Sequence, residues 1–194
     1  MARTGQVIIN PLTGERITFL KTARETRGKL LRFDCRAPSR GARLPAHIHE
    51  TAEERFAVLS GALGVMRGGR AYVLHAGQGI VVPATVKHQW WNAGDEAVHF
   101  RVEIRPPHGF EAALEMACDL ARHGKMTRGC IPKNPFDLAY LGRLSESYLP
   151  TVPVIVQKSA LAAIASVGWL LGYEPEAVTD HMHARHRAST LAVS

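Results

Sequence analysis

Between about residues 41 and 105 the chain breaks into short apolar runs, FAVLSG, ALGVMRGG, RAYVLHAG, QGIVVP, WWNAGD and AVHFRVEI, each closed by glycine, proline or another turn residue. Runs this short and this evenly spaced are too brief for helices. They predict an antiparallel β-sandwich or barrel. Arg67-Gly68-Gly69-Arg70 reads as a tight hairpin, because paired glycines adopt the positive φ angles that such a turn requires. Asn92-Ala93-Gly94-Asp95 reads as a second turn. Upstream, residues 1–40 read as extended strands that join this barrel. They include ITFL at 17–20 and an alternating stretch from Lys29 to Cys35 with Leu31 and Phe33 on one face.

After Pro106-Pro107 the period changes from two to about 3.6, and residues 106–194 read as a helical extension. Phe110, Leu114, Ala117, Cys118 and Ala121 line one helical face, and His123-Gly124 ends that helix. A second helix is expected over 135–146. Residues 152–172 are the most apolar part of the chain, but Gln157, Lys158 and Ser159 interrupt them. The uninterrupted run from Ala160 to Leu171 falls short of the roughly 20 residues that span a bilayer. A helix packed on the barrel or across a dimer interface is expected there, with no stable membrane span. The tail from about residue 180, HMHARHRASTLAVS, reads as flexible.

Composition narrows the function. A hydrophobic fraction of 46% in 194 residues supports a folded domain with a sizeable core. Cys35, Cys118 and Cys130 are an odd count without paired spacing, so they read as small buried hydrophobes in a reducing compartment. The first twenty residues lack the apolar core of a secretory signal, which predicts a cytoplasmic location. The net charge of +7 raises the question of nucleic acid, but the basic residues are scattered and no nucleic-acid motif accompanies them. A small-molecule substrate and a homodimer are the expected partners.

The chemistry concentrates in PAHIHETAEERF. His47 and His49 are two apart, so on a strand both side chains point the same way. A turn follows, and Glu54, Phe56 and Val58 then share the inward face of the next strand. This brings two imidazoles and a carboxylate toward one point. His88, after the QGIVVP strand, is positioned to add a third imidazole. Imidazole and carboxylate together suit borderline divalent ions, and four protein ligands in an octahedral shell leave two positions open for chemistry. Of the remaining histidines, His75 and His99 lie within strands, with His99 on the face of Arg101 and Glu103. His108, His123, His181, His183 and His186 lie in helical or tail segments.

Gly41-x5-His47-x-His49-x4-Glu54-x6-Gly61 resembles the first signature of the cupin superfamily, and Gly77-x5-Pro83-x-Thr85-x2-His88-x3-Asn92 resembles the second. Thr85 departs from the pattern, since glycine usually stands there. The resemblance covers about a third of the chain and implies a mostly β, antiparallel jelly-roll (cupin) barrel followed by C-terminal α-helices. It also implies one divalent metal held by His47, His49, Glu54 and His88. Iron, manganese, nickel, zinc, cobalt and copper are not distinguished. Glu54 is the candidate catalytic base, and Trp90, Phe56 and Phe33 are candidate pocket walls. The expected function is metal-dependent oxidation of a small organic molecule by dioxygen. Lewis-acid lyase, isomerase or cyclase chemistry and non-catalytic ligand binding stay open as alternatives.

Overall fold

The computed structural model describes residues 2–39 and 44–175. Gly41 of the first signature and the histidines of the tail lie outside the described residues. Among the described residues there are eleven strands and three helices. β1 (Val7–Ile9), β2 (Arg16–Lys21), β3 (Leu31–Ala37), β5 (Glu53–Ser60), β8 (Gly79–Val82) and β10 (Val98–Arg105) make one antiparallel sheet in the order β1-β2-β3-β10-β5-β8. β6 (Ala62–Arg67), β7 (Arg70–His75) and β9 (His88–Asn92) make a second, in the order β7-β6-β9. The two short strands β4 (Ile48–His49) and β11 (Ser147–Tyr148) pair with each other.

The alternation read from the sequence decides which face each strand buries. In β10, Val98, Phe100, Val102 and Ile104 are buried, and in β3 so are Leu31, Phe33, Cys35 and Ala37. These side chains meet Leu63, Val65 and Leu74 from the second sheet in one continuous apolar core, the jelly-roll arrangement. The Arg67–Arg70 hairpin forms with Gly68 at φ 58° and Gly69 at φ 88°. The Asn92 turn is knitted by its own side chain. Nδ2 donates to the Ala37 and Glu96 carbonyls at 3.0 and 2.7 Å, and Oδ1 accepts from the Gly94 N–H at 2.9 Å. Trp91 lies over Gly64 of the neighbouring strand, where any side chain would collide with its ring.

The helices follow in chain order: α1 (Phe110–Arg122), α2 (Pro135–Ser145) and α3 (Val154–Leu170). α1 is buried on two sides rather than on the single face expected. Phe110 and Leu114 pack against the jelly-roll core. Met116, Leu120 and Ala121 join Met126, Cys130, Tyr140, Leu141 and Leu144 in a separate cluster with α2. Among the described residues α3 has no extensive contact with the barrel strands. It lies against α2, where Gly168 allows close approach to the Phe136 ring, and its start is tied down by an ion pair between Lys158 and Glu50 at 2.7 Å. All three cysteines are free and buried. Among the described residues, no helix is long and apolar enough to cross a membrane.

Candidate metal centre

His47 and His88 are joined through their backbones, each N–H donating to the other's carbonyl at 3.0 and 2.9 Å. This antiparallel pair sets the two side chains next to each other on one face. His49 follows in β4 and is strapped from two sides. Its carbonyl accepts the Thr85 N–H at 2.7 Å, and Ser147 of β11 pairs with it from the helical region. Thr85 makes its bond with φ at 66°, a left-handed conformation that a β-branched residue rarely adopts. That strain explains why the cupin signature prefers glycine there. Glu54 enters from β5, where it is flanked in register by Ile104 and Val82.

The ligand nitrogens of His47, His49 and His88 all lie within 4.8 Å of one another. Ring centroids are 5.0 Å apart for His47 and His49, 4.4 Å for His47 and His88, and 5.2 Å for His49 and His88. The Glu54 carboxylate stands outside this triplet but adjoins it. Its Oε2 is 3.0 Å from His88 Nε2 and 3.9 Å from His49 Nε2. Glu54, His49 and His88 are buried, while His47 is half-buried.

Two of the rings have their protonation set by the backbone. His47 Nδ1 lies 2.9 Å from the Pro45 carbonyl and His88 Nδ1 3.0 Å from that of Val86. A carbonyl can only accept, so each Nδ1 carries the hydrogen, and the neutral ring keeps its lone pair on Nε2. His88 Nε2 and both nitrogens of His49 are buried without a hydrogen-bond partner. Glu54 Oε2 lies 3.0 Å from His88 Nε2 but is not aligned for a hydrogen bond. Buried polar atoms left open in this way are costly, unless something else binds there. A divalent ion fits the donor set.

Burial shifts the imidazoles in the same sense. Desolvation, helped by His88 and His49, pushes His47 down to about 4, so this ring is neutral at physiological pH. Desolvation also lowers His49. Burial alone would raise the Glu54 carboxyl, but the three histidines, His88 foremost, hold it below its ordinary value. Burial lowers His88, and the neighbouring Glu54 more than reverses this.

The other candidate residues lie deeper or further out. Phe33 and Phe56 belong to the buried core, and Trp90 is half-buried with its ring edge-on to Phe100 at 4.9 Å. His99 lies on the outer face of the large sheet, 3.5 Å from Asp34. His108 contacts Thr51 at 2.7 Å, and Thr51 donates to Glu146 at 3.0 Å. Sequence reasoning missed Phe110, whose ring stands edge-on to His49 at 5.5 Å, and β11, which completes the strand carrying His49. Phe110 appeared only as one apolar position on a helix, and a two-residue strand leaves no periodic signal.

Residues 36–104 match the family described as Cupin domain. That stretch is a cupin domain. Among curated proteins it resembles the polyketide synthase CurC of Streptomyces cyaneus, at 33% identity over 66 residues. That match spans 34% of this chain and 43% of the relative's length. Among solved structures, a predicted oxalate decarboxylase from Thermotoga maritima superposes with a TM-score of 0.47 at 18% identity, covering 55% of this chain and 98% of that one. The cupin domain of Cnp3 from Schizosaccharomyces pombe gives 0.43 at 16% identity, over 57% and 71% of the two chains.

Proposed function

We propose that this cupin is a metal-dependent enzyme acting on a small organic molecule, with oxidation by dioxygen as the favoured reaction. The observation that supports it best is the close triplet of imidazoles, with unpartnered buried nitrogens on His49 and His88, beside a carboxylate. His47, His49, His88 and Glu54 would hold one divalent ion. Bound there, it would supply open coordination positions, for redox chemistry if it is iron, manganese, nickel, cobalt or copper, or for Lewis-acid chemistry if it is zinc or nickel.

The chain's own residues have separate tasks in this reading. The carbonyls of Pro45 and Val86 hold His47 and His88 in the tautomer that presents Nε2. Glu54 is ionised near neutral pH, so its Oε2 is able to accept a proton from an acidic C–H or O–H of the substrate. Phe110 and the β11 strap exclude water from the His49 side. Trp90, with Phe56 and Phe33 behind it, is the candidate wall against which the substrate's apolar part rests. The likeness to a polyketide synthase makes phenolic and β-dicarbonyl compounds the first substrates to test.

The test is oxygen uptake by iron- or manganese-loaded protein against hydroxylated aromatics and diketones. Turnover with oxygen consumption supports the dioxygenase. Conversion without oxygen replaces it with Lewis-acid lyase, isomerase or cyclase chemistry, and binding without conversion makes the protein a ligand-binding module. A homodimer acting in the cytoplasm belongs to the same reading. It is supported by the end strands β7 and β8, to which no further strand is paired among the described residues, and by the free cysteines, and light scattering that finds only monomer contradicts it.

A further inference from the structure

The outer face of the large sheet, turned away from the histidine cluster, carries its charges in rows across the strands. In one row Thr18, Asp34 and Arg101 stand side by side, and Arg101 grips Asp34 through two bonds of 2.7 and 3.1 Å. In the next, Glu103 lies between Arg32 and Arg55 and is bonded by Arg32 at 2.6 Å and by Arg105 at 2.8 Å. Each of these rows has its own carboxylate. The remaining row does not. Arg16 of β2 is directly opposite Arg36 of β3, which is directly opposite His99 of β10. Like charges facing across a ladder are unfavourable, and among the described residues no carboxylate is bonded to either arginine. Among the residues lining this row the acid is Asp34, already held by Arg101 and 3.5 Å from His99.

This row opens on a hollow of about 440 Å³ lined by Arg16, Thr18, Asp34, Arg36 and His99. Two guanidiniums, a hydroxyl and an imidazole offer donors to it. With Asp34 and Arg101 cancelling, the two arginines leave two positive charges. We propose that this hollow is a binding site for a phosphate-type dianion, either inorganic phosphate or the phosphate group of a monoester. Arg16 and Arg36 present planar forks matched to its oxygens, Thr18 donates from the side, and the ligand supplies the counter-charge that this row lacks. The site is independent of the metal centre and of the reaction proposed there.

The test is thermal unfolding in inorganic phosphate and in phenyl phosphate, against chloride at equal ionic strength, for the unaltered protein, Arg16→Gln and Arg36→Gln. The expected result is a saturable rise in Tm for the unaltered protein, with at least tenfold weaker apparent binding in each variant. Both variants, in chloride, should unfold at or above the temperature of the unaltered protein, since each relieves an arginine pair. A stronger response to phenyl phosphate identifies the ligand as an ester, and an equal response identifies it as free phosphate. No saturable rise, or a rise that both variants retain and that therefore arises elsewhere, overturns the proposal.

Discussion

In β10 every second residue is buried, and the residues between are His99, Arg101, Glu103 and Arg105. In α3 apolar residues run round the whole helix and only Ala165 and Gly168 are buried. Trp169 and Leu170 are 72% and 74% exposed. The same division appears in charge. Residues 1–105 hold sixteen lysines and arginines against nine acids, whereas residues 106–175 hold six of each. Where polar and apolar residues alternate, the pattern itself states which face turns inward. Where a helix is apolar all round, burial is decided by whatever neighbour is in reach, and here, among the described residues, the main neighbour is α2.

The two regions should respond most differently when one aromatic is truncated in each. Phe100 is 1% exposed, with Trp90 at 4.9 Å and Phe56 at 6.1 Å. Phe100→Ala should cost about 3–5 kcal/mol in denaturant unfolding. A loss below about 1 kcal/mol would mean that the jelly-roll core is not the cooperative unit.

Next in size is a group at the seam between the regions. Glu15 is buried beside β2, and desolvation pushes its carboxyl up to about 7. Its folded value is thus raised. The unfolded chain loses this proton near 4.5 and the folded chain only near 7, so stability falls as pH rises through that window. The full difference is about 3 kcal/mol, from roughly 1.4 kcal/mol per unit. Glu15→Gln should therefore remove most of the decline in stability between pH 5 and pH 8. A pH profile identical to that of the unaltered protein would contradict the assignment.

The smallest effect is expected in α3. Trp169→Ala should change monomer stability by less than about 0.5 kcal/mol, because little of the side chain is buried. A larger loss that grows with protein concentration would reveal a covered face, and hence self-association.

These differences also mark what the sequence let one read. The strands, the Arg67–Arg70 hairpin and the helix ends at His123-Gly124 were visible because period two, paired glycines and helix caps are local signals. His47 and His49 were visible as neighbours because two residues along a strand return to one face. The seating of α3 was not visible, since its pattern favours no face. Nor was the facing of Arg16, Arg36 and His99, which depends on register between strands far apart in the chain. The β11 strap on His49 was hidden for the same reason.

The proposed chemistry requires that the imidazole triplet bind an ion. Elemental analysis of untagged protein, purified without chelator, should find about one divalent transition metal per chain, and His49→Ala combined with His88→Ala should remove it while the protein stays folded. An unaltered protein that takes up no such metal, or a folded double variant that keeps it, would contradict the central claim.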